Sequence, residues 1–170
     1  MNRSFLMTGF AALMIGATHA AAAQATDNKV TEHDPAVNTK DSLVKVQIID
    51  PAEQLAAGKA PDWSALTQTI VQKYDSVTAD RTITKAKIYY YYGKDWPQFT
   101  AGIVHYTNNY ELATDYNVLN ANANWILKFS KDPKELQEAQ RWAEAAVKGN
   151  PAEAAYKSTL AAVQEKLKAK

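Results

Sequence analysis

Residues 132–151 read DPKELQEAQRWAEAAVKGNP, and their pattern indicates the fold of the chain. Asp132 can cap the amino end of a helix, Pro133 suits the first helical position, and Glu135 follows three residues after the cap. The apolar residues that come next are spaced by three and four: Leu136, Ala139, Ala143 and Ala146. Such spacing places them on one helical face, which must pack against another helix. The stretch therefore predicts an amphipathic helix that stops near Gly149, before Pro151.

The same spacing recurs on the amino-terminal side and on the carboxy-terminal side of this stretch, and it predicts six helices in all over residues 62–170. Asp62, Asp95 and Asn150 are further candidate caps, and Gly93 stands where a helix would stop. Because the connections are short, consecutive helices should be antiparallel neighbours. The other apolar stripes are Trp63, Leu66, Ile70, Tyr74; Ala79, Ile83, Ala86, Tyr90; Trp96, Phe99, Ile103, Tyr106, Tyr110; Leu112, Tyr116, Leu119, Ala123, Ile126; and Tyr156, Leu160, Val163, Leu167.

Two of these helices share a sequence repeat. Residues 62–71 read DWSALTQTIV and residues 95–104 read DWPQFTAGIV, with five identities in ten positions at an offset of 33 residues. A helix-turn-helix unit of this size is typical of a solenoid and not of a symmetric four-helix bundle. Chance similarity between two amphipathic helices that share a cap is the alternative interpretation.

The stretch over residues 132–151 resembles part of a tetratricopeptide repeat. Its four stripe residues and Pro151 match the second helix of that repeat, and Ala123 and Ile126 match its first helix. Leu127 stands where the repeat usually has a small residue, so the match is degenerate. The resemblance implies an all-α fold, a tetratricopeptide-like right-handed array of about six antiparallel helices. The composition of the preceding residues predicts an extended N-terminal leader.

A second similarity covers residues 61–168, about two thirds of the chain. The segments that carry it are Asp62-Trp63, Lys73-Tyr74, residues 89–92, Lys94-Asp95-Trp96, residues 106–110, Leu119-Asn120, Trp125, residues 132–142 and Asn150-Pro151. They are similar to the helical tail that follows the thioredoxin domain in secreted bacterial thioredoxin-family proteins. The redox chemistry of that family resides in a Cys-x-x-Cys motif, whereas this chain contains no cysteine and has only 36 residues between Ala25 and Asp62. The resemblance therefore carries over a fold and no redox residue.

The first 25 residues predict an export signal. Arg3 gives a positive start, residues 5–17 are mostly apolar, and Ala23-Gln24-Ala25 is a small-residue cleavage pattern. The apolar run is too short to span a bilayer, so a membrane anchor is disfavoured and no stable membrane insertion is expected after cleavage. We therefore expect a bacterial protein that is periplasmic or secreted, with a signal peptide over residues 1–25 and a helical repeat domain over residues 62–170.

Residues 26–61 are expected to form a flexible leader or linker. Residues 26–40 carry few large apolar side chains and cannot offset their ordering entropy. Residues 43–49, LVKVQII, alternate partly and favour one strand, or an extended segment lying along the helical body. Residues 51–61 are rich in alanine and indicate a short helix or a linker.

Composition and motifs exclude several functional classes. The chain has 19 lysine and arginine residues against 18 aspartate and glutamate residues, which argues against binding nucleic acid through phosphate contacts. Without cysteine there is no thiol nucleophile, and no Gly-x-Ser-x-Gly motif or glycine-rich phosphate loop is present. His33 lies in a polar segment and His105 beside an apolar stripe without an evident nucleophile. We therefore predict no catalytic residue, no metal site and no cofactor.

Candidate binding residues come from the aromatic and asparagine-rich segments. Tyr91 and Tyr92 belong to a run of four tyrosines, and Tyr92 should face away from the core stripe of its helix. Asn120 and Asn124 share a helical face and could hydrogen-bond an extended peptide backbone. The alternatives are that the tyrosines are core residues and that the asparagines form a solvated face.

The sequence thus favours a non-catalytic protein that binds a protein or peptide partner through a groove. An accessory remnant that docks on a separate redox partner is the second hypothesis, and it depends on the thioredoxin-family resemblance. A secreted hydrolase or metal-binding protein is disfavoured because no catalytic constellation is present in the sequence.

Overall fold

The computed structural model describes residues 34–169, and this part of the chain is helical without any strand. The all-α prediction is confirmed. A helical segment at the amino end continues through one π-helical turn, Lys45–Ile49, and six longer helices follow it. The helices are α1 (Pro35–Val44), α2 (Asp50–Leu55), α3 (Trp63–Lys73), α4 (Ser76–Tyr91), α5 (Trp96–Tyr110), α6 (Tyr116–Phe129), α7 (Pro133–Gly149) and α8 (Ala154–Lys168).

The six helices predicted over residues 62–170 correspond to α3–α8. Three of the predicted caps form as expected: the carboxylate of Asp62 accepts from Ser64 N–H at 3.1 Å, and those of Asp95 and Asp132 also accept backbone N–H groups. Each such cap stabilises a helix by about 1 kcal/mol. Local sequence therefore determines where most of these helices begin.

Asn150 is not the cap of the last helix, contrary to the prediction. Its N–H donates to the carbonyl of Ala146 and closes α7, and its own carbonyl accepts from Glu153 N–H at 3.2 Å in the turn that follows. Glu153 is the cap of α8. The helix starts later than predicted because the Asn150 backbone already completes the preceding helix.

The two glycines that were predicted to end helices have different roles. Gly93 has a φ of +74°, the left-handed conformation that favours glycine. Gly149 is still helical, and the ring of Tyr116 occupies the space that a side chain at this position would need. Gly149 therefore permits close packing of α6 against α7.

The strand predicted for residues 43–49 is wrong, and so is the extended conformation over residues 35–49, because these residues are helical. The short helix that was one alternative for residues 51–61 is present over Asp50–Leu55. An alternating strand would place Val44 and Val46 on the same face, yet Val44 is fully buried and Val46 is 65 % exposed. In the π-helical turn, Asp50 N–H donates to the carbonyl of Lys45, five residues earlier. The extra residue brings Ile49 into the core with Val44. The predicted signal peptide and residues 26–33 of the leader lie outside the described residues.

Two hydrophobic cores stabilise the array, in which each helix from α3 to α8 packs on its neighbour in chain order. An amino-terminal core joins the first helical segment to α3 and α4, and its buried members are Val44, Ile49, Ile70, Ala79, Ile83 and Ala86. A carboxy-terminal core joins α5 to α8, and its buried members are Phe99, Ile103, Leu119, Ala123, Ile126, Leu136, Ala139, Trp142, Ala143 and Val163. Residues 35–49 thus pack on the helical body through Val44 and Ile49.

A buried ion pair attaches α1 to α4. The guanidinium of Arg81 donates from Nε and Nη2 to the two carboxylate oxygens of Asp41, at 2.6 and 2.5 Å. The Arg81 side chain is 1 % exposed, and its guanidinium also lies 5.7 Å from the ring centroid of Tyr110. This bidentate contact fixes the position of α1 on the array.

Within residues 34–169, no helix is both long and apolar enough to cross a membrane.

Candidate functional site

An open cleft of about 560 Å³ lies among α4, α5 and α6. This volume falls in the range of pockets that bind small ligands or an anchoring side chain. Most of the lining is apolar or aromatic. We call it the aromatic cleft, and its lining residues are Lys85, Ile88, Tyr89, Tyr92, Phe99, Ile103, Tyr106, Thr107, Glu111, Asn122 and Trp125.

The floor of the cleft comes from α5. Phe99, Ile103 and Tyr106 follow one another at helical spacing and are each less than 10 % exposed. Gly102 lets α4 approach this helix, because a Cβ there would lie 2.8 Å from a side-chain carbon of Ile88. The close α4–α5 contact therefore sets the depth of the cleft.

Exposed tyrosines form one wall. Tyr89 is 71 % exposed and Tyr92 is 53 % exposed, and both lie at the carboxy-terminal end of α4. The Tyr92 ring is nearly perpendicular to the ring of Trp125 from α6, with 5.7 Å between centroids, and lies 5.4 Å from that of Phe99. Such edge-to-face arrangements are favourable for aromatic pairs. These contacts hold the Tyr92 ring in position as a wall of the cleft before any ligand binds.

The opposite end of the cleft is polar. Asn122 donates from Nδ2 to the hydroxyl of Thr107 at 2.9 Å. The ammonium of Lys85 lies 5.9 Å from the ring centroid of Tyr106, and Glu111 is buried at the same end. An apolar pocket with a few convergent polar groups is the usual form of a binding site.

The structure does not bring the four predicted binding residues onto one surface. Tyr92 lines the aromatic cleft, whereas Tyr91 is half-buried, packs on the carboxy-terminal core and makes an edge contact with Tyr90 at 5.1 Å. Asn124 donates from Nδ2 to the hydroxyl of Thr159 in α8 at 2.9 Å and to the carbonyl of Asn120 at 3.0 Å. The bond from Asn124 to Thr159 joins α6 to α8 away from the cleft, and the bond to Asn120 lies within α6.

Sequence reasoning missed several residues of the cleft. Tyr89 stood in the tyrosine run, and its spacing from Lys85 and Tyr92 places all three on one face of α4. That spacing could have identified Tyr89 as a candidate binding residue. Trp125 and Asn122 could not be found in this way. They belong to α6, and the spacing of residues along one helix does not show that α6 packs on α5 close to α4.

A polar cluster lies between α4 and α5, outside the cleft. His105 Nε2 lies 2.6 Å from Asp80 Oδ2, and the hydroxyl of Tyr110 donates to the same oxygen. The other ring nitrogen of His105 lies 3.4 Å from the amide nitrogen of Asn109, where a catalytic dyad would have a hydroxyl or thiol nucleophile. Residues 34–169 contain no group of three or more potential metal ligands, and His33 lies outside this range.

The cluster shifts two pKa values in opposite directions. Burial, together with the hydrogen bond to Asp80, raises the pKa of Tyr110 well above its usual value of 10.0. Burial opposes ionisation of Asp80, but the hydrogen bonds from Tyr110 and His105 outweigh it and hold the pKa of Asp80 below 3.8. The neutral phenol and the ionised carboxylate are therefore the stable pair.

We expect Tyr110→Phe to reduce the loss of stability at alkaline pH. Because the pKa of Tyr110 is raised in the folded state, its contribution is fully present below about pH 10 and is lost as the pH rises towards the folded value. Urea denaturation at about pH 8 and about pH 11 should show a smaller pH-dependent decrease for the variant than for the wild type. Tyr89→Phe, at an exposed position, is the control, and identical decreases in the wild type and Tyr110→Phe would contradict the prediction.

Comparison of the chain with protein-family models, with curated proteins and with solved structures finds no match.

Proposed function

We propose that this protein is an exported, non-catalytic helical-repeat protein that binds a partner protein or peptide in the aromatic cleft. The observation that carries the proposal is the cleft itself, in which exposed Tyr89 and Tyr92 stand above a buried apolar floor. Tyrosine and tryptophan are enriched among the residues that dominate binding energy at protein interfaces. A pocket with such walls is suited to an anchoring side chain from a partner.

The arrangement of the helices supports a tetratricopeptide-like array. Neighbours in sequence pack on one another, and contacts also join α5 to α7 and α6 to α8, as expected when successive hairpins stack. Arrays of this kind bind partners on surfaces formed by several consecutive helices. The aromatic cleft, which takes residues from three consecutive helices, has this character.

The export part of the proposal comes from the sequence. Residues 1–25 have the charge, the apolar run and the small-residue end of a signal peptide. The non-catalytic part is supported by the chain having no cysteine and by the lack of a nucleophile beside His105. The partner should accordingly be found in the periplasm or outside the cell.

Site-specific photo-cross-linking tests this function. With p-benzoylphenylalanine in place of Tyr89, irradiation of bacteria that produce the protein should give one predominant cross-linked product in the exported fraction. The same photo-reactive residue in place of Leu55, which is 87 % exposed and outside the cleft, is the matched control.

Adding Tyr92→Ala to the Tyr89 cross-linking variant should abolish the product, because it removes a wall of the cleft while circular dichroism confirms that the helices remain. A product that forms equally from position 55, or that survives Tyr92→Ala, would contradict binding in the cleft. A thioredoxin-like protein in the product would favour the accessory role on a redox partner.

A further inference from the structure

A second depression adjoins the aromatic cleft, and Tyr89 forms the wall between them. It has a volume of about 290 Å³ and is lined by Glu53, Gly58, Lys59, Tyr89, Tyr90 and Lys94. We call it the basic depression. Because Tyr89 lines both spaces, a ligand that lies across this exposed ring would contact the cleft and the depression together.

The turn between α2 and α3 holds Lys59 in this position. Gly58 adopts a φ of +86°, and its carbonyl accepts a hydrogen bond from the hydroxyl of Tyr90 at 3.4 Å. Lys94 lies on the other side, with its ammonium 3.8 Å from the ring centroid of Tyr90. Both lysines are exposed, and among residues 34–169 no carboxylate lies within 4.0 Å of either ammonium.

Positive charge also lies near the cleft on its other side. The ammonium of Lys128 lies 4.9 Å from the ring centroid of Phe129, which stacks on Trp125 of the cleft. The acidic residues that line the two spaces are Glu111, which is buried, and Glu53, which lines the basic depression together with Lys59 and Lys94. The exposed charge around the aromatic rings is therefore predominantly positive.

We infer that the aromatic cleft and the basic depression together bind an acidic segment of a partner polypeptide, with an aromatic side chain in the cleft and carboxylates beside Lys59 and Lys94. This inference rests on the proposed function and specifies the chemistry of the partner. The ring supplies the buried apolar contact, and the carboxylates complement the two lysines. Exposed ion pairs contribute modestly to affinity, so their main effects are on specificity, association rate and salt dependence.

Three capped five-residue peptides are the probes. One has a central tryptophan between pairs of aspartates, the second has the same tryptophan between pairs of lysines, and the third has a central alanine between pairs of aspartates. Binding to the purified protein labelled with nitrogen-15 is followed by NMR at the indole N–H of Trp125, which is assigned by its loss in Trp125→Phe. The indole of Trp142, which donates to Asn108 at 3.1 Å away from the cleft lining, is the internal reference.

We expect the aspartate-flanked tryptophan peptide to bind about tenfold more tightly than either of the other two peptides. The double variant Lys59→Glu with Lys94→Glu should reverse the preference towards the lysine-flanked peptide. Lys157→Glu, the same charge change at an exposed position of α8, should leave the preference unchanged. Tyr89→Ala should weaken binding of both tryptophan peptides.

Equal binding of the two tryptophan peptides, or an unchanged preference in the double variant, would overturn the inference and leave the cleft as an aromatic anchor site. If no peptide shifts the Trp125 signal, both the inference and the proposed binding of a partner peptide in the cleft are overturned. Cross-linking from position 89 with no peptide preference would retain the proposed function alone.

Discussion

Asp41→Ala should lower the free energy of unfolding by about 3–5 kcal/mol. The variant leaves the guanidinium of Arg81 buried without the carboxylate that accepts two of its hydrogen bonds. An unpaired buried charge is costly, because it has lost its hydration without gaining a partner. Urea denaturation followed by circular dichroism measures the change.

Asp50→Ala is the matched control, since Asp50 pairs with the exposed ammonium of Lys45 at 2.6 Å in the same amino-terminal segment. Exposed pairs typically contribute about 0–1 kcal/mol. A loss in Asp41→Ala no larger than that in Asp50→Ala would show that Arg81 does not depend on Asp41, and that other contacts hold α1.

Leu136→Ala should destabilise the protein by about 2–5 kcal/mol. Leu136 is completely buried in the carboxy-terminal core, so the substitution removes apolar burial and leaves a cavity that its neighbours fill only partly. The same denaturation experiment measures the loss.

Leu55→Ala provides the same chemical change at a site that is 87 % exposed, and its effect should be within about 0.5 kcal/mol of zero. Comparable effects of the two leucine substitutions would mean that α7 is not packed as described. A large effect of Leu55→Ala alone would indicate that residues outside positions 34–169, or another molecule, cover α2.

The sequence predicts α3–α8 well because their signals are local. Caps such as Asp62 and Asp132 act within one turn, and apolar spacing reports the buried face of a helix whatever it packs against. The amino-terminal segment could not be predicted in the same way. Its π-helical turn is favoured by the burial of Val44 and Ile49 against α3 and α4, which is a tertiary effect.

The candidate site is predicted less well because it depends on which helices face one another. Asn124 is bonded to Thr159, which is 35 residues away in the sequence. Its polar side chain suggested a binding surface, but periodicity carries no information about that partner. Tyr92 lines the aromatic cleft, while its neighbours Trp125 and Asn122 come from α6.

The separation of the two cores has a mechanical consequence. The buried members of one core end with Ala86 of α4 and those of the other begin with Phe99 of α5, so the α4–α5 contact is the joint between the two cores. Ile88 and Tyr91 of α4 pack on the carboxy-terminal core at this joint. This joint includes a lysine over a tyrosine ring and a helix approach made possible by Gly102. The aromatic cleft lies across this joint. A bound partner would contact helices on both sides of the joint and oppose their separation. Partial opening at the joint, measured by hydrogen exchange, would then become rarer in the bound protein, with the largest protection at residues 85–103.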